Sequence, residues 1–178
     1  MDCSDAELIG LLSVIVEKYV KVFLGQNNSL TGLHFQANSS IIYLDLSRNN
    51  ISSLPHGTSY FSKHILYLKH LDLKYNYIDF LGPYTCANLT HLMFLNLVNN
   101  PLKVIHTSAF NNLQLLTTLN LTGAGIQNLQ GYGFEGLKSL TLLNLSLNYL
   151  ETLDSIFAKE HPLLAVDLRN NLIRHIGK

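Results

Sequence analysis

Cysteine and charge are both scarce in this 178-residue sequence, and each scarcity excludes a class of protein. Two cysteines, Cys3 and Cys86, are too few for a disulfide scaffold, and they lack the C-x-x-C spacing of zinc or redox sites. Lys plus Arg number 12 and Asp plus Glu number 12, so the formal net charge is zero. The sequence also contains no cluster of Lys and Arg. The zero net charge and the lack of such a cluster predict that nucleic acid is not a partner and that no polybasic patch binds a membrane.

The short motifs of common catalytic and cofactor sites are also missing. The sequence has no G-x-S-x-G elbow, no H-E-x-x-H pair and no P-loop. Its eight histidines are scattered without metal-ligand spacing. We therefore expect no enzyme activity, no cofactor and no metal.

What the sequence does contain is the phrase L-x-x-L-x-L-x-x-N-x-L, which occurs six times between Ile41 and Ile176 with one damaged copy. Its central position recurs every 23 to 27 residues, at Leu44, Leu71, Leu95, Leu119, Leu143 and Val166. This period is typical of leucine-rich repeats. One copy cannot bury its leucines alone, so stability must come from stacked neighbours.

The L-x-L core of each copy has the two-residue period of a β-strand, with leucines on one face and mostly polar residues on the other. We predict an α/β solenoid of the leucine-rich repeat type over residues 30–178, with about six full repeats. The coil is expected to be right-handed, with a parallel concave β-sheet and an irregular or helical convex side. Phe110, Phe134 and Phe157 recur on that convex side, and Cys86, at the equivalent place, is predicted to be a buried thiol.

An asparagine follows each strand where the chain turns, and its amide can satisfy backbone groups that would otherwise be buried unpaired. We predict that these side chains form a structural ladder: Asn49, Asn76, Asn100, Asn148 and Asn171. Ala124 stands at the ladder position of the damaged copy. This gap predicts either a local loosening or kink, or a water molecule that fills the space.

Residues 1–29 precede the repeats and contain helix-like signals. Ser4 and Glu7 have the spacing of a capping box, and the apolar residues from Leu8 to Phe23 keep helical spacing. We predict an amphipathic helix here. Three interpretations of residues 8–24 stay open, namely a cap on the solenoid, a signal peptide, and a segment that binds or anchors to a membrane.

N-x-S/T triplets suggest a protein that passes through the secretory pathway. They occur at Asn27, Asn38, Asn50, Asn88, Asn120 and Asn144. Some of them arise simply from repeat composition, because N-L-T and N-L-S are easily written inside L-x-L. Asn120 and Asn144 are predicted to point from the concave strand face, where glycans would block a docking site.

The concave strand face is the candidate binding surface, because its side chains can vary without disturbing the core. Aromatic, apolar and cationic residues cluster on its first three strands, a composition favoured at interface anchors. The predicted contact residues are Tyr43, His70, Lys74, Tyr75, Phe94 and Val98.

The 24-residue spacing and the A-F-x-x-L signature of Ala109, Phe110 and Leu113 resemble the extracellular "typical" class of leucine-rich repeats. Residues 30–55 resemble the beginning of a Toll-like receptor ectodomain, and the resemblance extends over residues 30–178. It implies an extracellular or cell-surface location and the binding of microbial or endogenous ligands. Cysteine-rich caps, usual in these ectodomains, are not recognisable here. The uncapped C-terminal end is therefore expected to be apolar and open to a dimer partner.

Two functions follow from this resemblance and from the exposed strand face. The leading hypothesis is a non-catalytic recognition module of the Toll-like receptor kind that binds a protein or another macromolecular ligand. The alternative is a structural or matrix adaptor of the same repeat class. Contact with a membrane is expected only through the N-terminal segment or through a part of a longer protein.

Overall fold

The structure is a computed structural model that describes residues 1–14, 19–35, 39–54, 65–83, 85–86, 88–129, 133–153 and 162–176. Short strands joined by irregular segments make up these residues. In chain order they are β1 (Ile9–Val14), β2 (Val22–Leu24), β3 (Ser29–Phe35), β4 (Tyr43–Asp45), β5 (His70–Asp72), β6 (Phe94–Asn96), β7 (Val104–Ile105), β8 (Thr118–Asn120), β9 (Asn128–Leu129), β10 (Leu142–Asn144), β11 (Thr152–Leu153), β12 (Ala165–Asp167) and β13 (His175–Ile176).

One parallel sheet of seven strands forms the concave side, in the order β12-β10-β8-β6-β5-β4-β2. Each strand pairs with its neighbour in the predicted register, so that Leu44, Leu71, Leu95, Leu119 and Leu143 align across the sheet. These five leucines are at most 2% exposed. The predicted leucine-rich repeat solenoid with a parallel concave sheet is therefore confirmed.

The convex side is irregular in the described residues, which contain no helix, so the helical alternative for this side is not seen. Ala109, Phe110 and Leu113 are fully buried there, and the ring of Phe110 stacks on that of Phe134 with centroids 6.0 Å apart. Phe157 lies outside the described residues. No helix in the described part of the chain has the length and apolar character needed to cross a membrane.

Both cysteines are free thiols, so no disulfide joins them. Cys86 is 1% exposed within the convex core, as its repeat position predicts. Burial raises the pKa of its thiol to about 12, because the thiolate would lose its hydration there. This side chain therefore acts as a small apolar residue rather than as a nucleophile.

The asparagine ladder connects each coil to the one before it. Asn148, for example, accepts a hydrogen bond from the amide of Ile126 (2.9 Å) and donates to the carbonyls of Leu121 (2.9 Å) and Leu145 (2.9 Å). The other predicted members make the same contacts in their own repeats: Asn49, Asn76, Asn100 and Asn171. Each side chain thereby satisfies backbone groups of its own coil and of the preceding coil.

The gap in the ladder at Ala124 is closed by a local change in backbone hydrogen bonding. The amide of Leu102, which elsewhere would bind a ladder side chain, donates instead to the carbonyl of Asn100 at 2.9 Å. The carbonyl of Leu102 likewise accepts from Val104 (2.6 Å), whereas its counterparts accept from the following coil. Ala124 itself is fully buried. The preceding coil therefore satisfies its own groups at the junction where the amide is missing.

The predicted helix in residues 1–29 is wrong. Strands β1 and β2 lie in this segment, and β3 spans the expected boundary between residues 29 and 30. Glu7, expected in the first helical turn, has a left-handed φ of 55°. Pairing with β3 and β4 satisfies the backbone groups of these strands, which outweighs the local helical spacing. Residues 15–18 lie outside the described residues.

Strand β2 belongs to a degenerate repeat that continues the solenoid. Phe23 takes the position of the central leucine and is 1% exposed, and Gly25 takes the position of the next leucine. The Phe23 ring fills the space of that missing side chain, since a Cβ on Gly25 would lie 2.6 Å from Phe23 Cε1. Asn28 completes the copy as a further ladder residue, accepting from the amide of Leu8 at 2.9 Å.

Candidate functional site

Two columns of side chains cross the concave face, because alternate residues of each strand point away from the core. The first column consists of Val22, Tyr43, His70, Phe94, Thr118, Leu142 and Ala165. The second consists of Leu24, Asp45, Asp72, Asn96, Asn120, Asn144 and Asp167. Aromatic rings are thus restricted to strands β4, β5 and β6.

Three of the predicted contact residues form one continuous ring stack, defined here as Tyr43, His70 and Phe94. The centroids of Tyr43 and His70 are 4.1 Å apart with an interplanar angle of 11°. Those of His70 and Phe94 are also 4.1 Å apart, at 4°. Parallel strands place equivalent side chains about 4.8 Å apart, close to the thickness of stacked rings. The stack therefore presents a rigid row of ring edges to the solvent.

Charged and amide groups lie along the C-terminal side of the ring stack. Asp72 pairs with Lys74 (Oδ2 to Nζ, 3.3 Å) and accepts from Asn96 Nδ2 at 3.1 Å. Asp45 accepts from the amide of Ser47 at 2.9 Å. These contacts hold the polar groups in fixed positions, so the site combines an apolar row with an ordered polar row.

Burial within the stack lowers the pKa of His70 below its ordinary value of 6.5, because the rings on both sides displace hydrating water. The carboxylates of Asp72 and Asp45 act in the opposite direction but are weaker, and Lys74 lowers this pKa further. Burial, together with the same two carboxylates, raises the pKa of Tyr43. The lowered pKa favours the neutral imidazole of His70 at pH 7, so the row of rings is mainly uncharged.

This shift predicts a stability loss on acidification. The unfolded chain takes up a proton at His70 more readily than the folded chain, so stability should fall as pH drops below about 6.5. We expect wild type to lose more free energy of unfolding between pH 7.5 and pH 5.5 than His70→Phe, which keeps the stack without the titrating group. Urea denaturation at both pH values measures the difference, and equal losses would contradict a lowered His70 pKa.

The remaining predicted contact residues lie at the edge of the sheet. The guanidinium of Arg48 sits 4.4 Å from the centroid of the Tyr75 ring. Tyr75 has a left-handed φ of 56°, and its amide donates to the carbonyl of Val98 at 2.8 Å. Lys74 connects this edge to the ring stack through Asp72. The structure thus brings Tyr43, His70 and Phe94 into direct contact, whereas Lys74, Tyr75 and Val98 flank them.

Beyond Phe94 the first column of the concave face contains no aromatic rings. Strands β8, β10 and β12 surround a shallow hollow of about 260 Å³, lined by Thr118, Asn120, Leu142, Asn144, Ala165 and Asp167. Asn120 Oδ1 accepts from the amide (3.1 Å) and hydroxyl (2.7 Å) of Thr122. Asn144 Oδ1 does the same with Ser146, at 2.9 and 2.7 Å. The sequence predicts that these two asparagines point from the concave face and carry glycosylation signals. It does not predict the hollow, which depends on short neighbouring side chains such as Thr118 and Ala165.

The predicted glycosylation sites occupy different surfaces. Asn27 and Asn50 are exposed, while Asn88, Asn120 and Asn144 are half-buried. Asn38 lies outside the described residues. The acceptor amides of Asn120 and Asn144 face the hollow, where a glycan would fill it.

Comparisons with known proteins agree with this geometry. A family model described as "Leucine rich repeat" matches residues 57–102 and 90–150, and a second of the same description matches residues 40–61. No curated protein matches the sequence. Among solved structures, the crystal structure of a TLR13–ssRNA13 complex is similar, with a TM-score of 0.67 and 26% identity. The match covers 84% of this chain but 23% of that chain, so the present sequence spans about a quarter of its length.

The expectation that nucleic acid is not a partner is wrong. The similar solved structure is a complex with single-stranded RNA, and a zero net charge therefore does not exclude this class of ligand for the fold. Net charge describes the whole chain, whereas binding depends on one face. Part of the affinity for a single strand can also come from stacking of its bases on aromatic rings.

Proposed function

Because the chain belongs to the leucine-rich repeat family and resembles part of a Toll-like receptor ectodomain, we propose that it is a recognition module for a macromolecular ligand. The ligand docks on the concave face, over the ring stack and its flanking residues. The fold performs no chemistry there. In the described part of the chain no group of histidine, cysteine and acidic residues could hold a metal ion.

The ring stack is the observation that carries this proposal. Tyr43, His70 and Phe94 are held by each other and by the paired strands beneath them, so they lose little freedom when a ligand binds. Rigid aromatic groups beside ordered polar groups are the usual composition of binding hot spots. A core function does not explain them, because all three side chains are partly exposed.

An extracellular or cell-surface location is part of the proposal. The resemblance to a receptor ectodomain supports it, and so do the exposed glycosylation signals at Asn27 and Asn50. Expression in a secreting eukaryotic cell, followed by mass spectrometry of glycopeptides, measures both secretion and occupancy.

A structural adaptor is the second candidate, and exposed apolar residues on one flank favour it. Tyr67, Met93 and Leu115 precede their strands and are 61%, 43% and 48% exposed. Apolar side chains grouped in this way often mark contacts between proteins. An adaptor would bind through this flank, so changes on the concave face would leave its binding intact.

The test is a selection of ligands from two pools, phage-displayed peptides and single-stranded RNA, against the immobilised chain. The double variant Tyr43→Ala, Phe94→Ala should lose most affinity for the selected ligands, about ten-fold or more, because both rings are anchor groups. Its melting temperature should change little, since neither ring belongs to the core. The control is Tyr67→Ala with Leu115→Ala on the flank. Ligands that tolerate the concave variant but not the flank variant would favour the adaptor.

A further inference from the structure

The ring stack ends at Phe94, whose ring has a stacked neighbour on one side only. His70 covers one face of the Phe94 ring. Beyond the other face, the adjoining strand places Thr118, the register partner of Phe94. A threonine side chain is too short to cover an aromatic ring. The outer face of Phe94 therefore adjoins Thr118, one of the residues that line the hollow, rather than another ring.

The hollow beside this face offers hydrogen-bond donors. The Oδ1 atoms of Asn120 and Asn144 are already occupied by Thr122 and Ser146. The same contacts fix the orientation of both amides, so their Nδ2 groups remain to donate towards the hollow, where no atom of the described residues accepts from them. The lining also includes the apolar side chains of Leu142 and Ala165. A matching ligand is flat and carries carbonyl or ring-nitrogen acceptors on its edge.

The charged residues around the hollow limit the electrostatic attraction of a phosphate group to this face. Asp72 is paired with Lys74 at 3.3 Å, and Asp167 with Arg169 at 2.7 Å. In each pair the carboxylate offsets the positive charge beside it. Binding here must therefore depend on stacking and hydrogen bonds more than on counterion release.

From these features we propose that the hollow binds an unpaired nucleobase of a single-stranded nucleic acid, stacked on the outer face of Phe94 and held by Nδ2 of Asn120 or Asn144. The proposal rests on the proposed function and names its ligand class. A peptide aromatic side chain could also stack on Phe94, but only a tyrosine hydroxyl or a histidine nitrogen on its ring would offer the amide donors an acceptor. The edge of a nucleobase carries such acceptors on the stacked ring system itself. The similar solved structure contains single-stranded RNA, which agrees with this choice.

The test measures the affinity of the full chain, expressed without glycans, for a fluorescent 12-nucleotide oligouridylate by anisotropy. Phe94→Ala should weaken binding about ten-fold or more, the usual effect of removing one base-stacking ring. Phe80→Ala, a partly exposed ring on another surface, is the matched control and should bind as wild type does. Circular dichroism melting verifies that both variants are folded.

Two further measurements separate a base contact from simple attraction to phosphates. An abasic oligonucleotide of the same length should bind at least ten-fold more weakly than oligouridylate. Asn120→Asp replaces a donor by an acceptor and should weaken binding more than Asn99→Asp, which adds the same charge at an exposed position outside the hollow. The slope of log affinity against log salt should be shallower than about −2, since few phosphates are contacted.

Several outcomes would overturn the nucleobase site. They are no binding of oligouridylate, equal binding by the Phe94 and Phe80 variants, equal binding of the abasic strand, or a glycan on Asn120 in secreted protein. If selected peptides bind and lose affinity in the double variant while RNA does not bind, the nucleobase site fails and the recognition function stands. If no ligand of either pool depends on the concave face, both fail.

Discussion

Leu119→Ala should lower the free energy of unfolding by about 2 to 5 kcal/mol, the range for truncating a buried leucine. Leu119 is fully buried, and its register partners Leu95 and Leu143 lie on both sides in the same row of the core. A cavity at this place removes contacts with two neighbouring coils at once. Since each coil depends on its neighbours for burial, the loss extends to the coils on both sides of Leu119.

Leu115→Ala is the matched control for this variant. It removes the same atoms four residues earlier, from a side chain that is 48% exposed. We expect a change within about 0.5 kcal/mol. Urea denaturation followed by circular dichroism gives both values. A near-neutral Leu119 variant, or equal losses at the two positions, would mean that the leucine row does not form the core.

Asn49→Ala should cost about 2 to 4 kcal/mol, because it removes several buried hydrogen bonds together. Asn49 accepts from the amide of Leu30 at 3.0 Å and donates to the carbonyls of Gly25 (2.9 Å) and Leu46 (3.0 Å). Alanine cannot replace these bonds. The Leu30 amide would stay buried without a partner, which is more costly than the loss of an exposed bond.

The neighbouring Asn50 provides a control of the same residue type. Its side chain is exposed, and its amide bond to the Leu30 carbonyl (2.8 Å) does not depend on the side chain. Asn50→Ala should therefore change stability by less than about 0.5 kcal/mol in protein made without glycans. Amide hydrogen exchange at Leu30 should also quicken in the Asn49 variant alone. Equal stability of the two variants would refute the structural role of the ladder.

The core of this fold could be predicted from sequence because six copies of the phrase mark the same buried positions. The positions of Leu44 and its equivalents follow from a period that a strand and a turn both require, and the ladder asparagines follow from the same register. The alternation of outward residues also identified Tyr43, His70 and Phe94 as neighbours on one face. These are consequences of spacing alone.

Features that depend on tertiary contact could not be predicted in this way. The segment before the repeats has helical spacing, but backbone pairing with β3 and β4 makes it strands. The degenerate repeat could not be recognised because glycine stands at the leucine position of residue 25. The ring of Phe23 fills the space of the missing side chain, and this compensation is seen only in the packed structure. The net charge of zero also led to the wrong prediction that nucleic acid is not a partner. A net charge does not show how charges are placed on one face, for example in the ion pair of Asp72 with Lys74.

The missing ladder amide at Ala124 has a consequence for how this molecule would come apart. Across that junction β6 still pairs with β8 and β7 with β9, but both backbone groups of Leu102 bind within their own coil. A one-dimensional stack separates most readily where the coupling between adjacent units is weakest. Where the stack separates first at this junction, the two halves on either side behave as distinct cooperative blocks, with the ring stack on the first and the hollow on the second. A ligand that contacts both halves would couple their unfolding, so that two unfolding transitions become one.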